Sequence, residues 1–125
     1  MKTFLPIFLL ACLLHSCEKV NLVPEDEWPQ WLKTTIDEQE RSIRDNPKSS
    51  YALGAWMRTT WNQVYYYEYY NLLFSSMPIA ISHSGDTLDT YVGNTSSDYH
   101  NQKCCSIYVW KGPDYKDYFP LTGSK

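Results

Sequence analysis

Residues 55–70 read AWMRTTWNQVYYYEYY and decide the fold. Their apolar period is close to two, and β-branched and aromatic residues dominate, which is typical of half-buried strands. The pattern predicts one strand over residues 55–60 and a second over residues 64–70. A turn near residues 61–63 would bring the second strand back beside the first as an antiparallel hairpin.

Downstream of this hairpin, the sequence predicts two more strands, a loop and a last strand. Residues 79–83 and 87–92 flank Ser84-Gly85-Asp86, where glycine can adopt the positive φ of a tight turn. Residues 94–101 are polar and predict a loop. In residues 104–110, two sets of side chains alternate as in a strand: Cys105, Ile107 and Val109 against Cys104, Ser106, Tyr108 and Trp110.

Upstream of the hairpin, the sequence predicts one amphipathic helix over residues 29–44. Pro29 suits a first helical turn, and an acidic run precedes it. Leu32, Ile36 and Ile43 recur at helical spacing, and Asn46-Pro47 ends the helix because a residue before proline avoids the helical region. One helix followed by four to five strands predicts an α+β domain, in which this apolar stripe packs on an antiparallel sheet.

The N-terminus has the pattern of an exported lipoprotein. Lys2 precedes an apolar stretch over residues 4–14, which has the length of a secretory signal and is too short to span a bilayer. The stretch ends in Leu14-His15-Ser16-Cys17, which resembles the bacterial lipobox. The pattern predicts a signal peptide over residues 1–16, lipid on Cys17, a tether over residues 17–27 and a single domain over residues 28–125. An ordinary signal peptide with a cysteine near the cleavage site is the alternative.

Composition excludes two classes of protein. The formal net charge is −3, so the chain offers no basic stripe for nucleic-acid phosphates, and no nucleic-acid partner is expected. Aromatic residues make up 16% of the chain, which is far too many for a disordered tail and suits a folded β-rich module.

The cysteines exclude a disulfide framework. Cys12 would leave with the signal peptide and Cys17 would carry lipid, so only Cys104 and Cys105 remain as thiols. The spacing from His100 to this pair could gather soft ligands around zinc or copper. However, neighbouring strand residues point to opposite faces, so both sulfurs reach one ion only at a bulge or before the strand begins. The sequence therefore predicts no metal and no cofactor. It leaves open a vicinal disulfide, or a buried Cys105 beside an exposed Cys104.

Motifs of catalysis are missing from the sequence. There is no G-x-S-x-G nucleophile elbow, no H-E-x-x-H zinc motif and no glycine-rich phosphate loop. Histidines, serines and aspartates are present but without a characteristic spacing. The sequence therefore predicts a protein that is not an enzyme and has no catalytic residue.

Tyrosines occupy both faces of the strand over residues 64–70. Because one face must pack under the helix, either the odd set or the even set with Glu68 is expected to face solvent, where tyrosine favours protein and sugar contacts. Tyr108 and Trp110 would extend the even face. The alternative is that tyrosine simply prefers half-buried sheet positions. The candidate binding residues are Tyr65, Tyr66, Tyr67, Tyr69, Tyr70, Tyr108 and Trp110.

Asp86-Thr87-Leu88 resembles the Asp-Ser/Thr-apolar sequence at which some bacteria O-glycosylate exported proteins. Aspartate is also expected in a hairpin turn for its own hydrogen bonding. Thr87 is therefore a candidate glycosylation site at an accessible turn.

Several of these stretches together resemble small lipoproteins of Bacteroidota. The likeness is carried by the lipobox followed by Glu18-Lys19, the opening Trp28-Pro29-Gln30-Trp31-Leu32, the strand Val64-Tyr65-Tyr66-Tyr67 and the pair Cys104-Cys105. That group has no established activity, so the resemblance implies a location in the cell envelope and no reaction. Members commonly have a further cysteine downstream of the pair, and this chain has none there.

Glu18 follows Cys17, where an aspartate would signal inner-membrane retention in well-studied Gram-negative systems. The sequence therefore predicts an outer-membrane lipoprotein and leaves open on which side of that membrane it lies. We expect a non-enzymatic accessory or binding module, held to the membrane by its N-terminal lipid, whose partner is an envelope protein or a glycan. The alternative is an inhibitor or decoy for an envelope protease or effector.

Overall fold

A computed structural model describes residues 22–88 and 93–116. Its strands form one five-stranded antiparallel sheet in the order β4-β3-β2-β1-β5, joined by two α-helices and two short 3-10 helices. The predicted α+β class is confirmed. The elements are the 3-10 helices Glu25–Glu27 and Ser50–Leu53, α1 Gln30–Asp45, β1 Gly54–Trp61, β2 Val64–Asn71, β3 Ala80–Ser82, β4 Thr87–Leu88, α2 Gly93–Gln102 and β5 Cys104–Lys111.

The central hairpin of β1 and β2 matches its prediction. Trp61 pairs with Val64, so only Asn62 and Gln63 form the turn, with φ of 50° and 63°. Two successive positive φ values are typical of the tight turn whose twist suits a hairpin. Helix α1 also lies within one residue of its predicted bounds, because Pro29 and Asn46-Pro47 mark both of its ends.

Side chains of α1 contact one face of the sheet. Leu32 and Ile36 are buried in a cluster with Trp56 of β1, Tyr67 of β2 and Val109 of β5. The strand register places these side chains on one face of the sheet. Trp56 lies directly opposite Tyr69, and Arg58 lies directly opposite Tyr67. Two hydrogen bonds reinforce the contact: the Trp56 indole donates to the Gln39 side-chain oxygen at 3.0 Å, and the Trp110 indole donates to Glu40 at 3.0 Å.

The C-terminal part of a second helix contacts the opposite face of the sheet. The prediction of a loop over residues 94–101 is wrong, because this stretch lies in α2. Tyr99 of α2 is fully buried, and its ring lies 5.5 Å from that of Trp61 and 5.7 Å from that of Tyr66. The sequence of α2 is polar, so it contains no apolar period from which a helix could be predicted.

Strand β5 departs from regular alternation at two register shifts against β1. The first lies opposite Trp56 and Met57, and the second lies opposite Arg58 to Thr60. Because of the first shift, both Val109 and Trp110 belong to the cluster beneath α1. The prediction that Tyr108 and Trp110 share a face is therefore wrong, since Trp110 pairs with Trp56 and Tyr108 pairs with Met57.

The segment before α1 belongs to the fold. Leu22 forms a parallel bridge with Tyr108, and the Val23 N–H donates to the Tyr108 carbonyl at 2.9 Å. Val23 is buried in the core, and the Trp28 indole donates to its carbonyl at 2.9 Å. Because Leu22 and Val23 pair with Tyr108, part of the segment predicted as a tether over residues 17–27 packs on β5.

The predicted signal peptide, Cys17 and the first part of the tether lie outside the described residues, as do residues 89–92 of the predicted strand over 87–92. Within the part of the chain that the structure describes, no helix combines the length and apolarity needed to cross a bilayer.

Candidate binding surface and buried polar cluster

The connection between β2 and β3, residues 72–79, exposes an unusual amount of apolar surface, and we call it the apolar loop. Leu73 is 61% exposed and Phe74 is 64% exposed. The same is true to a lesser degree of Leu72, Met77 and Ile79. Aspartate, glutamate, lysine and arginine are all missing from the sequence between Glu68 and Asp86. A contiguous exposed apolar segment of this kind is typical of an interaction site.

Asn71, the last residue of β2, fixes the base of the apolar loop. Its side-chain amide donates to the Ser50 carbonyl at 2.9 Å, and its side-chain oxygen accepts from the Leu73 N–H at 3.0 Å. The Phe74 N–H donates to the Asn71 carbonyl at 3.0 Å. Because these bonds hold the backbone on both sides of Leu72, the loop presents Leu73 and Phe74 in a defined conformation.

A groove of about 390 Å³ lies between the apolar loop and the sheet. Phe74, Met77 and Ile79 line it from the loop, and Trp56, Tyr69 and Ile81 line it from the sheet. This volume is comparable with that of small ligand pockets, and its mostly apolar lining suits an apolar side chain or group. The loop and the groove therefore form one surface. Leu73 and Phe74 protrude from it, and the groove can receive a side chain of a partner.

The predicted aromatic face is not a continuous exposed surface. Tyr67, Tyr108 and Trp110 are buried, whereas Tyr66, Tyr69 and Tyr70 are half-buried. Neither the odd nor the even set faces solvent as a whole, because each includes a buried side chain, Tyr67 in the odd set and Glu68 in the even set. Tyr65 is the exception at 45% exposed, and the Arg58 guanidinium lies 4.0 Å from the centre of its ring. Tyr69 and Tyr70 do line the groove, so two of the predicted residues contribute to the candidate surface.

On the α2 side of the sheet, a buried carboxylate gathers three donors. Glu68 of β2 is 2% exposed and accepts hydrogen bonds from the hydroxyls of Tyr70 and Tyr99. The Lys103 ammonium lies 3.0 Å and 3.2 Å from the two carboxylate oxygens. Tyr99 belongs to α2, and Lys103 is the first residue after that helix. These contacts therefore join α2 to the sheet.

Burial and charge set the protonation of this Glu68 cluster. Burial raises the pKa of the Tyr99 and Tyr70 hydroxyls well above the usual tyrosine value, and the Glu68 carboxylate beside them raises it further. Both hydroxyls therefore keep the protons that they donate. Burial lowers the pKa of His100, and the charge of Lys103 lowers it further, so the imidazole favours its neutral form. Its Nδ1 atom is buried and has no hydrogen-bond partner within residues 22–88 and 93–116.

Cys104 and Cys105 are joined by a vicinal disulfide, and both residues are exposed. Cys105 has a φ of 65°, and the second register shift of β5 lies at the same place. This is one of the outcomes that the sequence left open. Among the residues that the structure describes, no three histidine, cysteine, aspartate or glutamate side chains are grouped to hold a metal ion, so His100 does not complete a site with this pair.

Thr87 lies in the edge strand β4, directly after the turn that contains Gly85, and its side chain is exposed. The Ser82 N–H donates to the Asp86 carbonyl at 2.8 Å, which closes this turn. An exposed threonine beside a tight turn is accessible to a transferase, and its O-glycosylation stays a prediction.

Compared with known proteins, the chain matches no family model, no curated protein and no solved structure.

Proposed function

We propose that this protein is a non-enzymatic, lipid-anchored accessory protein of the bacterial outer membrane, and that it binds another envelope protein through the apolar loop and its groove. The observation that carries the proposal is the exposure of Leu73, Phe74, Met77 and Ile79 beside a groove of about 390 Å³. The lipobox at Leu14-His15-Ser16-Cys17 supports the anchored location.

The chemistry of the apolar loop favours a protein as the partner. The centres of protein interfaces are depleted of charge and enriched in aromatic residues and methionine, which is the composition of this loop. Anionic lipid surfaces attract clusters of lysine and arginine, whereas this segment has neither and the chain has a formal net charge of −3. The partner is therefore expected to insert an apolar side chain into the groove, and to receive Leu73 and Phe74 in a pocket of its own.

The first test replaces the two most exposed side chains of the loop. Leu73→Ser with Phe74→Ser should weaken capture of the partner from native envelopes by about tenfold or more, because buried aromatic and aliphatic anchors dominate interface energies. Capture after chemical cross-linking, quantified by mass spectrometry, is the measurement. The fold should persist, since both side chains are solvent-exposed.

The matched control is Val64→Ser with Tyr65→Ser at the end of β2 that adjoins the turn, where both side chains are also exposed to solvent. This pair should leave capture unchanged. If the loop variant retains wild-type capture while its circular dichroism is native, the proposed surface is wrong. Equal binding of the Cys17→Ala chain, which lacks the acyl chains, to protein-free vesicles of neutral and anionic lipid would identify a membrane as the occupant of the apolar loop instead. A captured protease whose activity falls on binding would assign the inhibitor function.

The anchor has its own test, at Cys17. Cys17→Ala should move the protein from the detergent phase to the aqueous phase of a Triton X-114 partition, because it removes the acyl chains that hold the protein at the membrane. Ser16→Gly keeps a small residue before the cysteine and should still partition with detergent. Retention of the Cys17→Ala variant in the detergent phase would contradict lipidation at this residue.

A further inference from the structure

We propose that Cys104 and Cys105, once their disulfide is reduced, form a two-thiolate site for a soft monovalent metal ion, with copper(I) as the expected ligand. This site is independent of the proposed protein-binding surface. It rests on the geometry at the start of β5 and on the chemistry of the two sulfurs.

The geometry removes the objection that adjacent strand residues point to opposite faces. Cys105 adopts a φ of 65°, and the register against β1 shifts between Arg58 and Thr60, so this part of β5 is a bulge. Both sulfurs consequently lie on the same side of the backbone, where they are joined as a disulfide. A single ion can therefore bind both sulfurs.

The bulge has support that does not depend on the disulfide. The Thr59 hydroxyl donates to the Cys104 carbonyl at 3.1 Å, and the Ser106 hydroxyl donates to the Thr59 hydroxyl oxygen at 3.3 Å. Thr59 is itself almost fully buried in β1. These bonds flank the pair on both sides, so the backbone is expected to keep the two thiols together after reduction.

The conformation of Cys105 is unfavourable for a residue with a side chain. The left-handed region is sterically unfavourable for a residue other than glycine, and such positions cluster at ligand sites and switches. Both cysteines are exposed, so reductants and ions reach the sulfurs directly. Exposure and an unfavourable φ at the same residue point to a functional pair rather than to a structural staple.

The number of protein ligands at the pair determines which soft metal ion fits it best. Thiolates favour soft metals, copper(I) and zinc among them. A structural zinc site takes four ligands, whereas within the described residues no third histidine, cysteine or carboxylate joins the pair. Copper(I) is satisfied by two thiolates in a linear or bent arrangement, and therefore fits the site best.

The chemistry takes two balanced steps. A dithiol reductant transfers two electrons and two protons to the disulfide and becomes a disulfide itself, leaving two thiols on Cys104 and Cys105. Copper(I) then binds both sulfurs and displaces both protons, which gives a bis-thiolate complex with one negative charge.

The experiment uses the full-length chain with Cys12→Ser and Cys17→Ser in every sample, so that the pair supplies the only thiols. The protein is reduced, freed of reductant without oxygen and titrated against the coloured copper(I)–bicinchoninate complex. The reduced chain should remove one copper per protein, and the oxidised chain should remove none. Cys104→Ser and Cys105→Ser should each weaken binding by more than the roughly 100-fold that loss of an outer-shell partner typically causes.

The matched control is Cys105→Ser with Ser106→Cys, which keeps two thiols but separates them by one residue. It should bind copper at least about tenfold more weakly, because the second sulfur leaves the position of positive φ. Equal binding by this control would show that any two nearby thiols suffice and would overturn the geometric argument. Binding by the reduced pair no tighter than by the single serine variants would overturn the site altogether.

Discussion

Glu68→Ala should lower the free energy of unfolding by about 3–5 kcal/mol, because it leaves a charged lysine beside a buried site with no counter-charge. In the native protein, Glu68 accepts hydrogen bonds from Tyr70, Tyr99 and Lys103, whose side chain is 20% exposed. Loss of the carboxylate removes the hydrogen bonds from all three donors at once. It also leaves the two tyrosine hydroxyls without their acceptor.

Urea unfolding followed by circular dichroism measures this loss. Glu38→Ala on the exposed side of α1 is the matched control, and should change stability by no more than about 0.5 kcal/mol. The stability of Glu68→Gln should fall between those of Glu68→Ala and Glu38→Ala. Its amide oxygen can still accept from one hydroxyl, but the amide does not neutralise Lys103. A Glu68→Ala variant within 1 kcal/mol of the wild type would mean that the cluster does not hold α2 on the sheet.

Regular periodicity explains why α1 and the central hairpin could be predicted. Leu32, Ile36 and Ile43 mark one side of α1, and all three contribute to the core cluster. In β1 and β2, aromatic and β-branched residues dominate, and the turn between them requires only two residues with positive φ. These features are local, so a single stretch of sequence carries them.

The elements that could not be predicted depend on distant contacts. Helix α2 has no apolar stripe, and the buried contacts described for it come from Tyr99 and its neighbours on the sheet. The carboxylate that Tyr99 meets lies 31 residues earlier in the chain. Likewise, Val23 is buried because its backbone pairs with Tyr108, and a segment of two or three residues is too short to show a period. Nothing local distinguishes such residues from a loop or a tether.

The candidate binding surface is visible in the sequence as a break in composition and not as a period. A connection between strands is usually polar, whereas residues 72–79 include Leu72-Leu73-Phe74 and lie in a long uncharged stretch. The tyrosines of β2 predicted an exposed aromatic face instead, whereas most of these side chains are buried or half-buried. The sequence left a bulge at the cysteine pair open, and the positive φ of Cys105 coincides with a register shift against β1 that no local pattern shows.

Trp56→Ala should lower the free energy of unfolding by about 3–5 kcal/mol, because it empties the centre of the core. Trp56 is 5% exposed, and its ring lies 5.8 Å from that of Trp31 on α1 and 5.2 Å from that of Tyr69 on β2. The indole N–H also donates to the buried side chain of Gln39. Alanine would therefore leave both a cavity and a buried amide oxygen without a donor.

A double-mutant cycle separates the hydrogen bond from the packing. Trp56→Phe keeps most of the ring and should cost about 1–3 kcal/mol, since the Gln39 oxygen loses its donor while buried. Gln39→Leu removes that oxygen, so the two changes together should destabilise the protein less than the sum of the single changes. Urea unfolding of the four proteins gives the coupling. Strictly additive losses would show that the indole of Trp56 acts through packing alone, whereas a coupling above about 0.5 kcal/mol assigns a stabilising contact between α1 and β1 to this bond.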